Sequence, residues 1–187
     1  MITLLVGCQV QPIKQPIEQK MSSSISIGSL SENSEWQSYS NSMHGFSISY
    51  PNNWISVERK DRIGDEIFSV AFRPKSPTAG DPDYGLIVVG IFEADMNTSQ
   101  FIDTHLCDSP DVCASSKNAT RLIVAGVEAL EVTNPPSPIP SEVVVFKKND
   151  RIYELSIGLD KSYDEKYSIQ EKKEIFNRIL SSFVFQL

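Results

Sequence analysis

The sequence predicts an α+β fold, a mostly antiparallel sheet covered by helices, on three observations. Short apolar segments recur from Phe46 to Ile157 with Gly, Pro, Asn or Asp between them. Two of the intervals, Ala125-Gly126 and Lys148-Asn149-Asp150-Arg151, carry the residues of hairpin turns. One long apolar stripe at helical spacing then closes the chain, and hairpins followed by a helix imply packed layers. The 187 residues leave roughly 150 after a polar N-terminal stretch, enough for one core and not for two.

Taken in order, Phe46, Ile48 and Tyr50 alternate with Ser47 and Ser49, the pattern of a strand buried on one face, and Pro51 ends its ladder. Pro51-Asn52-Asn53 reads as a turn, after which Trp54 restarts the core. From Ile67 to Arg73, Phe68, Val70 and Phe72 face one way and Ser69, Ala71 and Arg73 the other. Pro74 to Asp83 is an exposed loop. Leu86 to Phe92 is almost wholly apolar, as a central strand covered on both faces should be. Leu122 to Val124 pairs with Val127 to Val132 across Ala125-Gly126. Asn134 to Pro140 holds too many prolines to join a sheet. Val143 to Phe146 and Ile152 to Ile157 form a second hairpin, since Asn149 and Asp150 tolerate positive φ.

Two helices are expected. Asn97 or Thr98 caps a short one that carries Phe101, Ile102 and Leu106 on one face. The second runs from about Asp164 to Ser182. Its stripe is Ile175, Phe176, Ile179, Leu180 and Phe183, with Glu171, Lys172, Glu174 and Arg178 facing water, and it covers one face of the sheet.

Before this domain, taken as residues 39–187, the chain is of another kind. Leu5-Val6-Gly7-Cys8 resembles the lipobox of bacterial lipoprotein signal peptides, in which small residues admit the processing peptidase and the freed cysteine is acylated. Cys8 is therefore the expected lipidation site, and each buried methylene of its acyl chains adds about 0.8 kcal/mol of membrane affinity. An export signal also needs a basic segment and an apolar stretch of about 7–15 residues, so residues 1–8 read as a truncated signal. Residues 9–38 are rich in Gln, Pro, Ser and Glu without apolar period, the composition of a disordered tether. As a flexible coil it would hold the domain on the order of 30 Å from the membrane.

The segment from Tyr39 through His44-Gly45-Phe46-Ser47-Ile48-Ser49-Tyr50-Pro51 to Trp54 resembles the opening of PsbP-like domains. Val124-Ala125-Gly126-Val127-Glu128-Ala129, Tyr153-Glu154-Leu155 and the ending Ile179-Leu180-Ser181-Ser182-Phe183-Val184-Phe185 are similar to further landmarks of that family. Together they span nearly all of Tyr39 to Phe185. The resemblance implies an α/β/α sandwich. It also implies a lumenal or periplasmic extrinsic subunit associated with photosystem II, although other bacterial proteins share the opening without that tie. Every landmark is a packing or turn feature and speaks for fold before function.

Composition narrows the partners. The formal charge of −7 comes with only 17 Lys and Arg, and these do not cluster beside aromatics, so nucleic acid is not expected. An acidic excess suits a soluble, monomeric domain. Cys107-Asp108-Ser109-Pro110-Asp111-Val112-Cys113 is the most distinctive local feature. In an exported protein, a cysteine pair flanking a Pro turn fits a disulfide closing a short surface loop. The alternative is a metal site to which Asp103, His105, Asp108 and Asp111 lend ligands; zinc sites favour C-x2–4-C spacing, so the disulfide is preferred.

The two histidines, His44 and His105, read as a surface turn residue and a residue on the polar side of the short helix. No serine lies in a Gly-x-Ser-x-Gly elbow and no glycines are spaced to cradle phosphate. No catalytic residue and no cofactor is assigned. The expectation is a non-enzymatic, extracytoplasmic lipoprotein on a bacterial-type membrane, in a periplasm, thylakoid lumen or cell surface. It would act as an accessory or binding subunit of a membrane complex. The competing reading is a small-molecule or metal-binding domain, or a hydrolase with an unrecognised site, built around His105 and Cys107.

Overall fold

Alternation and turn chemistry produce two antiparallel sheets that face each other across the larger of two cores. The computed structural model describes residues 35–60, 64–75, 86–93, 95–109, 112–137, 139–160 and 167–186, with the side chains of 108 and 109 excepted. Cys8, most of the proposed tether, most of the Pro74 to Asp83 loop, Asp111 and most of the predicted first turn of the last helix lie outside these residues.

Strands β1 (Trp36–Asn41), β2 (Phe46–Pro51) and β12 (Val184–Phe185) form the small sheet, with β2 in the middle. The large sheet has seven strands. In spatial order they are β3 (Trp54–Glu58), β4 (Glu66–Pro74), β5 (Ile87–Glu93), β11 (Arg151–Gly158), β10 (Ser141–Lys148), β9 (Val127–Thr133) and β8 (Thr120–Val124). Every pairing in both is antiparallel. A separate two-stranded ribbon joins β6 (Cys107–Ser109) to β7 (Val112–Cys113).

The hairpins turn where residues adopt the left-handed region. Ala125 and Gly126 have φ of 48° and 80°, the paired positive values that match a two-residue turn to strand twist. In the β10–β11 turn Asn149 takes φ 56°.

The main core lies between the large sheet and a layer made jointly by the small sheet and helix α2 (Ile169–Ser181). Phe46 of β2 stacks on Phe183 at 5.4 Å, and Phe183 meets Phe146 of β10 edge-on at 5.0 Å. Ile175, Phe176, Ile179 and Leu180 supply the helix's share of that core. The opposite face of the large sheet carries a smaller core. There helix α1 (Thr98–His105) inserts Phe101 and Ile102 among Leu130, Val132, Val143, Val145 and Ile152.

The predicted cover of helices is thus only partly present, because a sheet shares one layer with α2 and an eight-residue helix is the only α-helix described on the other face. The small sheet was hidden because β12 is two residues long and β1 lies in polar sequence. Trp36, Gln37 and Ser38, assigned to the tether by composition, are strand residues paired with Pro51, Tyr50 and Ser49. One charged residue of the last helix differs from expectation, while Arg178 is exposed as expected. Lys172 is fully buried, its Nζ donating to the carbonyl of Asp160 at 2.8 Å. The Arg178 guanidinium covers the Trp36 ring at 4.1 Å. The Lys172 stem is buried while its ammonium reaches a carbonyl at the end of the chain. No helix among the described residues is long and apolar enough to cross a membrane.

Candidate functional site

Charged groups inside a sheet are the most informative polar features of this fold, and two of them meet on the α1 face. Glu154 lies mid-strand in β11, directly opposite Gly90 of β5 and Val145 of β10. Its neighbours Tyr153 and Leu155 point into the main core, so Glu154 faces the other way. Glu66 opens β4 opposite Phe92, while Phe68 is opposite Ile91, which makes Ile67 the extra residue of a β-bulge. Without the bulge, Glu66 and Phe68 would share a face and the carboxylate would enter the main core. The bulge turns it to the α1 side.

Gly90 makes room for that carboxylate. A Cβ at residue 90 would sit 2.8 Å from Glu66 Oε1 and 3.2 Å from the ring of Phe92. The Glu66 carboxylate therefore lies over Gly90, the residue that Glu154 opposes on one side and Ser69 on the other. Glu66 is buried, Glu154 is partly buried, and Ser69 is 1% exposed. The Ser69 hydroxyl has no hydrogen-bond partner among the described residues.

Burial pushes the Glu154 carboxyl up to about 7, and the neighbouring Glu66 charge adds to the effect. Near neutral pH Glu154 is divided between acid and carboxylate forms, a state suited to taking up and releasing a proton. A second acidic pair lies on the α2 face. Burial, then the charge of Glu142, raises Glu131, while Glu142 is held by an ion pair with Lys173 of α2.

The residues singled out by sequence gather elsewhere, at the end of α1. Cys107 and Cys113 face each other across the β6–β7 ribbon and are joined by a disulfide. Asp103 is occupied in structure: its carboxylate accepts from the amide of Ser116 at 2.6 Å and from its hydroxyl at 3.0 Å, anchoring a 3-10 turn at Ser116–Asn118. His105 stacks on Phe101 at 4.4 Å, with Nε2 4.0 Å from Asp65 and Nδ1 2.9 Å from the Thr104 hydroxyl. Its ring thus lies on the aromatic side of the helix, since positions 101 and 105 are one turn apart. The Asp108 side chain is not described. Among the described residues no group of three or more His, Cys, Asp or Glu is placed to hold a metal.

His44 is also placed differently from expectation. It is buried, its ring 4.5 Å from that of Phe68 and its carbonyl accepting from the Tyr153 hydroxyl at 3.0 Å. The turn folds back onto the sheet and takes the imidazole with it.

Neither Glu66 nor Glu154 was singled out by sequence reading. The available signal was Gly90, a glycine inside an otherwise apolar central strand, which marks a close approach by another group.

Two sheets with an aromatic core and acidic pairs set within the larger sheet define a sheet-dominated α+β domain. The chain belongs to the PsbP-like protein family, whose model matches residues 1–185. Among solved structures, it is similar to cyanobacterial PsbP (CyanoP) from Synechocystis sp. PCC 6803, at 16% identity over 85% of this chain and 98% of that one, with a TM-score of 0.48. A Bacteroides thetaiotaomicron protein matches at 14% identity over 81% of this chain and 48% of its own, with a TM-score of 0.43. No curated protein matches the chain.

Proposed function

We propose that this protein is a non-catalytic accessory subunit, held outside the cytoplasm by acylation of Cys8, that binds a membrane-associated complex through the loops of its domain. The observation that carries the reading is the family match, which runs through residues 1–185 and so takes in Leu5-Val6-Gly7-Cys8 as well as the domain. The site chemistry is consistent with binding: His105 and Asp103 are engaged in packing and turn contacts. Photosystem II is the complex that the resemblance nominates.

Two measurements on native membranes test the reading. Mass spectrometry of the N-terminal peptide should find a mature chain beginning at acylated Cys8; an unmodified Cys8 within a longer peptide would refute the anchor. Cross-linking in intact membranes should recover a reproducible membrane-complex partner, with photosystem II subunits the expected ones. Recovery of only abundant bystanders would refute the accessory role.

A further inference from the structure

Three successive links tie α1 and its carboxyl end to the chain that returns past it, and the disulfide is the outermost. Innermost, the Asp103 carboxylate accepts from the amide and the hydroxyl of Ser116. Next, the Ala114 amide donates to the Leu106 carbonyl at 2.8 Å, with Ala114 buried in the smaller core and Leu106 packed against it. The Cys107–Cys113 bond comes last. The links are nested, so opening the outermost leaves two that still close the same turn.

Apart from the disulfide, the ribbon has little to hold it. Strands β6 and β7 pair only with each other, through Cys107 opposite Cys113 and Ser109 opposite Val112, and the register is broken between those pairs. An isolated two-stranded ribbon is marginal in water. Val112 is 50% exposed and gives β7 little apolar anchoring. Both cysteines are partly exposed, and exposed disulfides exchange with external thiols more readily than buried ones. The bond joins residues with a sequence separation of only 6, and the stabilisation a cross-link confers grows with the loop it closes.

We propose that Cys107 and Cys113 form a redox switch that sets the order of the β6–β7 ribbon and leaves the rest of the domain folded. An external thiol supplies the electrons. Its thiolate attacks one sulfur of the bridge, a mixed disulfide forms, and the other sulfur leaves as a thiolate; a second thiol then displaces the first. The pair gains two electrons and two protons and becomes two thiols, while the two external thiols become one disulfide. The reduced ribbon opens as far as Ala114, where the Leu106 and Asp103 links stop it. Exchange with an external disulfide closes it again, so the ribbon follows the thiol–disulfide poise of its surroundings.

The test uses the full chain, oxidised and labelled with nitrogen-15, in a native glutathione buffer with the reduced form in about tenfold excess. Alkylation and mass spectrometry should find both cysteines reduced in most molecules. NMR order parameters at Cys107, Ser109, Val112 and Cys113 should then fall from about 0.85 to below about 0.6, while those of Asp103, Ala114 and Ser116 stay level. A chain carrying Cys107→Ser and Cys113→Ser should show the reduced pattern with no thiol present. A bond that stays closed in this buffer would overturn the proposal. So would a reduced or doubly substituted ribbon as ordered as the oxidised one, or a loss of order that spreads to Ala114 and Ser116. The reduced natural chain decides the last point even if the substituted one does not fold.

Discussion

The guanidinium of Arg178, on the last turns of α2, lies 4.1 Å over the indole of Trp36, the first residue of β1. This contact ties β1 to the final helix and makes Trp36 part of the domain. Trp36→Ala should cost about 2–3 kcal/mol by removing an aromatic packed on the core. Arg178→Ala should cost about 1 kcal/mol, the scale of a partly exposed cation–π contact. Urea unfolding of both variants checks this; a Trp36→Ala midpoint equal to that of the unsubstituted chain would mean that the Trp36 ring adds nothing to the packing of the domain.

Gly90 is required for space. Its φ is not in the left-handed region, so the penalty for a side chain comes from the contacts at 2.8 Å to Glu66 and 3.2 Å to Phe92. Gly90→Ala should destabilise by about 1–2 kcal/mol through overpacking. In a Glu66→Ala background the same substitution should cost less than half as much, because the nearer obstacle is gone. Additive effects in a double-mutant cycle would show that Glu66 does not occupy the space over Gly90.

Global stability should depend on pH through Glu154. Its carboxyl is raised from an ordinary 4.5 to about 7, burial being the main cause. Between those values the folded chain binds one more proton than the unfolded chain, so stability falls as pH rises across that window and levels off above it. The fall is at most about 3 kcal/mol, reduced by the solvent that Glu154 retains. Chemical denaturation from pH 4.5 to 8 measures it, and Glu154→Gln should flatten the curve. A natural chain whose stability is constant or rises through this range contradicts the assignment.

The Cys107–Cys113 disulfide closes a short loop between α1 and the 3-10 turn. Reducing it, or replacing both cysteines by serine, should cost about 2 kcal/mol on the loop-entropy scale. Alkylation of the protein isolated from its native source without prior reduction should leave both cysteines unmodified. Two alkylated residues would show that the bridge is absent from the protein as it is made.

What the sequence made legible follows from which forces are local. The β8–β9 and β10–β11 hairpins were readable because Gly126 and Asn149 announce positive φ. The stripe Ile175, Phe176, Ile179 and Leu180 was readable because one element carries the whole pattern. The α2 boundary was less clear: Ser168 and Glu171 form a capping box that starts the helix at Ile169, a signal of two residues easily outweighed by periodicity. Two-residue β12 has no period at all, and the bulge at Ile67 is one residue of excess that only pairing with β5 reveals. Glu154 alternates with Tyr153 and Leu155 as a solvent-facing residue would. Its different environment comes first from burial and then from Glu66, which lies far away in sequence and across an intervening strand.

Among the described residues β8, at one end of the large sheet, has a strand neighbour on one side only, and Ile123 on it is 70% exposed. Unpaired amides and carbonyls beside an exposed β-branched residue are a template onto which another copy of the chain could add its own strand. Arg121, paired with Glu128 of β9, is the charge standing in that path. Arg121→Ile should therefore show itself in concentration-dependent light scattering before it shows in the unfolding midpoint, since the residue's work is to keep neighbouring molecules apart.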